Sequence, residues 1–157
     1  MRRKPSYCLD SSAIIDWHER YYPPASFPAL VDRVEQVIVE GRLVISEEVW
    51  IEIEAKDAAA KAWCQPRLDN LVVRTDLEIV KQVQEVLRSH PRLVGALRNR
   101  SGADPFVIAV AQIRSAIVVT GEAKGTPTRP RIPYVCDELA VPCMSFLEVI
   151  KSEGWSF

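Results

Sequence analysis

Four acidic residues of the chain stand where they could act together, and they are Asp10, Glu52, Asp104 and Glu122. Asp10 and Glu122 come after apolar segments, and Asp104 comes before one. Glu52 lies on the helix expected after an apolar segment. Carboxylates that converge repel one another unless a cation neutralises them. Oxygen ligands of this kind favour Mg²⁺ or Mn²⁺, and such an ion can activate water for attack on a phosphodiester. The four residues are therefore candidate metal ligands.

Each of these acids also has a purely structural explanation. Asp10 could cap a helix, and so could Asp104, which a proline follows. Glu52 could pair with Lys56 at i, i+4 on a helix surface, and Glu122 could be a solvated loop residue. Only the combination of all four favours a site.

The elements that would position these acids alternate along the chain. Short β-branched and apolar runs predict strands at residues 7–9, 43–45, 71–73 and 116–119. Stripes with helical spacing lie between them, and capping signals at Ser26, at Ser46 and at the Thr75–Glu78 capping box mark helix starts. The helix after Ser46 is expected to run to Trp63. This alternation predicts an α/β fold, a three-layer α/β/α sandwich with a central, mainly parallel sheet. In such sheets, sites form beyond the carboxyl ends of the strands.

The composition narrows the class of protein. A chain of 157 residues that is 48% hydrophobic and 26% charged is typical of one globular domain, here residues 1–157. No apolar run approaches the roughly 18 residues of a membrane span, and we expect a cytoplasmic protein without a signal peptide. The four cysteines are too scattered for a zinc site or a secreted disulfide framework.

The net charge of −1 hides an asymmetry along the chain. Eight basic and two acidic residues lie between Val86 and Pro133, which gives this segment a net charge of +6. The basic residues are Arg88, Arg92, Arg98, Arg100, Arg114, Lys124, Arg129 and Arg131. Such a block is either a solvated face or a basic rim for a polyanion around the isolated acids.

The residues around the four acids resemble the PIN domain, the fold of VapC-type toxin ribonucleases. The resemblance covers nearly the whole chain. It rests on Leu9-Asp10-Ser11-Ser12, on the spacing from Ser46 to Glu52, on Ala103-Asp104-Pro105 before an apolar helix, and on Val118-Val119-Thr120-Gly121-Glu122. The Tyr21-Tyr22-Pro23 turn and the Ser46–Val49 segment look closer to an uncharacterised PIN-like subfamily than to typical VapC proteins.

The resemblance implies a Mg²⁺- or Mn²⁺-dependent endoribonuclease, the toxin of a toxin–antitoxin pair. Its RNA substrate, a cognate antitoxin protein and a second copy in a homodimer are the implied partners. The implied metal ligands and catalytic residues are Asp10, Glu52, Asp104 and Glu122. The hydroxyls of Ser12 and Thr120 are then expected to orient a carboxylate or water, and Arg98 and Arg100 to bind the RNA backbone.

Three points stay open at the level of sequence. Asp16 could lie near the site, although an exposed helix position is favoured for it. Glu48, one turn before Glu52, could take the place of Glu52. Glu122 stands where the family commonly has Asp, and because of this departure a second function remains an alternative. That alternative is a catalytically degenerate PIN-like module that binds RNA or protein without cutting. A phosphatase or receiver domain fits less well, because Ser12 stands where a second acid would be needed.

Overall fold

A five-stranded sheet forms the centre of the computed structural model, which describes residues 3–94 and 102–157. The strands are β1 (Tyr7–Leu9), β2 (Leu43–Ser46), β3 (Val72–Val73), β4 (Ile117–Val119) and β5 (Cys143–Met144). Their order is β3-β2-β1-β4-β5, and all of these pairings are parallel. The register places Cys8 beside both Val44 and Val118. The predicted α/β class with a parallel sheet is confirmed.

Helices connect and cover the strands. They are α1 (Ser11–Ile15), α2 (Pro28–Val39), α3 (Glu47–Lys56), α4 (Ala58–Cys64), α5 (Leu68–Leu71), α6 (Leu77–Ser89), α7 (Asp104–Arg114), α8 (Ile132–Glu138) and α9 (Phe146–Glu153). A π-helical turn, Asp16–Tyr21, continues α1, and 3₁₀ turns follow α4 and α6. All three residues of β1 are buried although neighbouring side chains point to opposite faces, so helices cover both faces of the sheet.

Three predicted helix boundaries were wrong. The helix after Ser46 ends at Lys56 instead of Trp63, because the Asp57 carboxylate accepts from the Ala60 N–H at 3.0 Å and starts a new helix. The helix predicted to follow a Ser26 cap begins only at Pro28. The helix predicted to open with a Thr75–Glu78 capping box instead has Asp76 as its N-cap, and the Asp76 carboxylate accepts from the Ile79 N–H at 2.8 Å.

The strand order reverses beside β1. The chain passes from β1 to β2 and β3 on one side, and later returns to β4 and β5 on the other side. In parallel sheets, ligands bind in the crevice at such a switch point, beyond the carboxyl ends of the strands. The residues that follow β1 and β4 are Asp10 and Thr120, so both flank the crevice.

A polar network lies at the opposite end of the sheet. The buried Tyr7 donates its hydroxyl to Glu153 at 2.6 Å. The Arg42 guanidinium binds the same carboxylate at 2.9 and 3.1 Å and also reaches Glu40 at 2.9 Å. Arg42 and Glu153 are only 12% and 9% exposed, so this network joins β1, the start of β2 and α9 away from bulk water.

No helix in the described part of the chain combines the length and the apolar character that a membrane span requires. Cys8, Cys64 and Cys136 are buried free thiols, and Cys143 is a half-buried one. The expectation of scattered, mostly buried thiols is confirmed for these positions.

Candidate active site

Asp10 is held by three donors at the carboxyl end of β1. One carboxylate oxygen, Oδ1, accepts from the Ala13 N–H at 3.0 Å and from the Ser12 hydroxyl at 2.6 Å. The other oxygen, Oδ2, accepts from the Thr120 hydroxyl at 2.7 Å. Asp10 therefore caps α1, as the structural explanation expected. Helix capping accounts for only one of its oxygens, however, and Thr120 joins the other to β4.

The environment of Asp10 opposes its negative charge. The side chain is 3% exposed. Burial raises the pKa of Asp10 to about 6, even though the hydrogen bonds from Ser12, Thr120 and Ala13 favour the ionised form. The negative charge of Glu122 raises this pKa further. A cation near this carboxylate would offset the cost of the buried charge.

Glu52, not Glu48, contacts the residue that follows Asp10 in the chain. The Ser11 hydroxyl donates to Glu52 Oε1 at 2.7 Å, which ties α3 to the residue next to Asp10. The Glu48 carboxylate instead accepts from the Thr75 hydroxyl, with the shorter distance at 2.9 Å. The geometry thus turns Glu48 toward the loop after β3 and leaves Glu52 at the crevice.

Asp104 reaches the same end of the sheet through α7. It is the first residue of that helix, so its predicted role as the N-cap was wrong, and Ala103 precedes the helix instead. The Val107 carbonyl, one turn later, accepts from the Cys8 thiol of β1 at 3.6 Å. Since Cys8 lies two residues before Asp10, this contact places the N-terminal end of α7 near Asp10. The Asp104 side chain is buried, with 8% exposed.

The Glu122 side chain joins the two ends of the polar loop that follows β4. Its N–H donates to the Thr120 hydroxyl at 3.1 Å, and its Oε2 accepts from the Ile132 N–H at 3.3 Å. The carboxylate therefore links the start of this loop to the start of α8. It is half-buried, and its charge acts on Asp10, so it has a structural role and also contributes to the potential of the crevice.

These oxygen donors suit a hard divalent cation by their chemistry. Within residues 3–94 and 102–157, no three His, Cys, Asp or Glu side chains are grouped closely enough to hold a metal ion. Instead, O–H and N–H groups of the chain hold the carboxylates of Asp10, Glu52 and Glu122. The buried carboxylate of Asp10 is the feature that best fits a cation, because burial disfavours its charge.

Comparison with known proteins identifies the family. The family model described as "Domain of unknown function (DUF4411)" matches residues 7–157. The chain belongs to the DUF4411 family. No curated protein matches it significantly.

Among solved structures, this DUF4411 chain is similar to a chain in the crystal structure of VapBC2 from Rickettsia felis bound to a DNA fragment from their promoter. The alignment covers 89% of this chain and 98% of that chain, with a TM-score of 0.52 and 12% sequence identity. At this identity, the likeness shows a shared fold. It agrees with the architecture expected from the PIN resemblance.

Asp16 of this DUF4411 chain packs beside the turn that follows β4. An exposed helix position was expected for it, but its side chain is only 17% exposed. A Cβ atom added at Gly121 would lie 2.0 Å from Asp16 Oδ2. The Gly121 N–H also donates to the Ser12 hydroxyl at 2.9 Å. The sequence left the position of Asp16 open, and nothing local pointed to its contact with Gly121.

The remaining predicted residues differ in how far the structure describes them. Arg98 and Arg100 lie outside the described residues. Arg129 and Arg131, in the loop that Glu122 closes, have exposed side chains. Trp17 and Trp50 are buried, with 1% and 6% exposed, and Trp63 is half-buried.

The contact between Thr120 and Asp10 gives a testable prediction that needs no metal. Thr120→Val removes a donor to the ionised carboxylate, and a hydrogen bond to a charged group contributes about 1.5–3 kcal/mol. The pKa of Asp10 should therefore rise by about one to two pH units. A pH titration of the Asp10 carboxyl carbon by NMR measures it.

The matched control is Thr126→Val in the same loop, where the hydroxyl bonds to Thr128 at 3.2 Å and accepts from the Arg129 N–H at 3.1 Å. That change should leave the Asp10 titration unmoved. Equal midpoints for wild type and Thr120→Val would show that this hydroxyl does not stabilise the charge.

Proposed function

We propose that the chain is a metal-dependent endoribonuclease that hydrolyses RNA phosphodiesters, acting as a single domain over residues 1–157. One observation carries the proposal. Asp10 is a buried carboxylate at the switch point of a parallel sheet, and its ionisation is opposed by burial and by Glu122. Ionisable groups whose charge is opposed in this way cluster at functional sites.

The proposed residue roles are those that the PIN resemblance implies. Asp10, Glu52 and Asp104 would hold Mg²⁺ or Mn²⁺, with Glu122 as a further ligand or as the residue that positions water. The ion supplies an activated water and stabilises the leaving oxygen of the phosphodiester. Ser12 and Thr120 orient the Asp10 carboxylate through bonds of 2.6 and 2.7 Å.

Basic residues of the central segment would bind the RNA backbone. Arg129 and Arg131 are exposed on the loop that starts at Glu122, next to the crevice. Arg98 and Arg100 are proposed as further phosphate contacts on the basis of the sequence alone. Binding through such contacts should weaken as the salt concentration rises.

An antitoxin is the proposed protein partner, and a homodimer is proposed as the assembly. The fold is shared with a chain of VapBC2, which was crystallised bound to a DNA fragment from their promoter. That likeness supports a toxin–antitoxin role in the same way as the PIN resemblance does. We also propose a cytoplasmic location, where the RNA substrate is present.

A second candidate function is a PIN-like module that binds RNA or protein without cutting. One observation favours it. The carboxylates of Asp10, Glu52 and Glu122 are engaged by donors of the chain itself, and the described acids do not form a three-ligand group. Such a module would bind RNA equally well in EDTA.

Cleavage of a structured RNA pool by the purified protein distinguishes the two functions. We expect cleavage in Mn²⁺, and we expect it to be lost both in EDTA and in Asp10→Asn. Cleavage that survives in Asp10→Asn would point to a contaminating nuclease and contradict the proposal. RNA binding without cleavage by the folded protein, unchanged in EDTA, would favour the binding module.

A further inference from the structure

The carboxylate of Asp16 occupies the space where a side chain at position 121 would be. A Cβ at Gly121 would lie 2.0 Å from Asp16 Oδ2 and 3.0 Å from its Cγ. No real Cβ tolerates such a distance, so one of the two groups would have to move. A side chain at position 121 would therefore displace the Asp16 carboxylate from its place.

The close approach joins two elements that both carry groups of the candidate site. Asp16 begins the π-helical turn that continues α1, the helix capped by Asp10. Gly121 stands between Thr120, which donates to Asp10, and Glu122, whose charge acts on it. Turns of π-helix are rare and occur often at functional sites.

Two hydrogen bonds keep this contact in place. On one side, Arg20 donates to Asp16 Oδ1 at 3.2 Å, which orients the carboxylate with Oδ2 toward Gly121. On the other side, the Gly121 N–H donates to the Ser12 hydroxyl at 2.9 Å, and that hydroxyl donates to Asp10. The turn after β4 is thus held between α1 and the carboxylate of Asp16.

We propose that Asp16 is a positioning residue, which sets the place of the Thr120–Glu122 turn relative to Asp10 by packing its carboxylate against Gly121. The inference rests on the proposed function, because it names a residue that supports the same metal site. Asp16 acts through its shape and its contact, and the ligand role stays with the four acids named above.

Mn²⁺ affinity, measured by isothermal titration calorimetry on the full chain, tests this role. Gly121→Ala should weaken Mn²⁺ binding about 10- to 100-fold, the range for residues that orient metal ligands. Asp16→Ala should weaken it as well, because the turn loses its support. In the Asp16→Ala/Gly121→Ala double variant, the added methyl group has room, so binding should match Asp16→Ala alone. Asp16→Asn keeps the shape and should stay close to wild type.

Gly102→Ala is the matched control. A Cβ at Gly102 meets no atom of the described residues within 4 Å, so this glycine-to-alanine change should leave Mn²⁺ affinity unchanged. Additive losses in the double variant would overturn the inference. So would an Asp16→Asn variant that loses as much affinity as Asp16→Ala, because charge rather than position would then be the property that matters.

Hydrogen exchange separates a failure of this inference from a failure of the proposed function. If the wild type binds no Mn²⁺, the metal-nuclease proposal fails. The exchange rate of the N–H at position 121 still reports on the turn. Gly121→Ala should speed this exchange by breaking the bond to Ser12, and the double variant should slow it again. Equal exchange in the two variants would overturn the positioning role.

Discussion

Replacing Asp10 by Asn should make the metal-free protein more stable at neutral pH, by about 1 to 3 kcal/mol, while Mn²⁺ binding and RNA cleavage disappear. Most substitutions of a buried, hydrogen-bonded residue reduce stability. The opposite sign is expected here because the native carboxylate carries a charge that burial disfavours. The carboxamide oxygen of Asn can still accept from Ser12 and from the Ala13 N–H.

The sign follows from the pKa of Asp10. Burial raises it from an ordinary 3.8 to about 6, so the folded protein binds this proton more tightly than the unfolded chain does. Wild-type stability therefore falls as the pH rises from about 4 to above 6, and a difference of about two pH units corresponds to about 3 kcal/mol. The stability gained in Asp10→Asn over wild type should be complete above about pH 6 and should vanish below about pH 4.

Urea unfolding in EDTA at pH 7.5 and at pH 4 measures the effect. The matched control is Asp76→Asn, since Asp76 caps α6 through the Ile79 N–H at 2.8 Å but is exposed. Asn and Asp are about equal as N-caps, so this control should change little at either pH. A loss of stability in Asp10→Asn at pH 7.5 would mean that its hydrogen bonds outweigh the cost of the buried charge.

The second large effect is expected at the opposite end of the sheet, where Glu153→Ala should destabilise the protein by about 3 kcal/mol. Removing this carboxylate leaves the Arg42 guanidinium, which is 12% exposed, without its closest acidic partner on α9. It also leaves the buried Tyr7 hydroxyl without the acceptor at 2.6 Å. Arg42 keeps its bond to Glu40, which places the cost toward the lower end of the range for buried pairs.

The pH dependence of this pair has the opposite sign to that of Asp10. Burial raises the pKa of Glu153, but the hydrogen bonds from Arg42 and Tyr7 outweigh it and hold the pKa below its ordinary 4.5. The Arg42–Glu153 pair therefore contributes fully to the free energy of unfolding above pH 4.5. This contribution is lost as the pH falls through the folded-state pKa of Glu153. The difference between wild type and Glu153→Ala should shrink in acid.

Urea unfolding at pH 7 measures this cost, with Glu35→Ala as the control. Glu35 pairs with Arg67 at 3.2 Å and is 45% exposed, and exposed pairs contribute at most about 1 kcal/mol. A similar, small cost for both variants would show that the Arg42–Glu153 pair is screened like a surface pair.

These two ends of the sheet illustrate two uses of buried charge. At the end opposite the crevice, Glu153 is paired, and its charge contributes to stability. At the crevice, the donors to Asp10 among the described residues are neutral, and its charge is costly. Stability lost at a site in this way is expected where a protein binds a cation or a substrate.

The sequence alone was sufficient to predict four of the five strands and the place of the crevice, but it did not predict β5. Alternating apolar runs and capping residues are local signals, and parallel strands must align their carboxyl ends, so Asp10 and Thr120 could be expected at one edge. The helix ends were less predictable. Asp57 starts a second helix inside an apolar-periodic segment, because its side-chain bond to the Ala60 N–H competes with continuation of the first.

Only the tertiary structure decided which side chains the acids contact. Glu48 and Glu52 lie one turn apart on the same helix, but Thr75 donates to Glu48 and Ser11 donates to Glu52. Asp16 and Gly121 are more than a hundred residues apart, and their contact depends on how the π-helical turn after α1 packs against the turn after β4. Local propensity carries no information on such long-range packing, because the space left beside a glycine is set by whichever distant side chain the fold brings there.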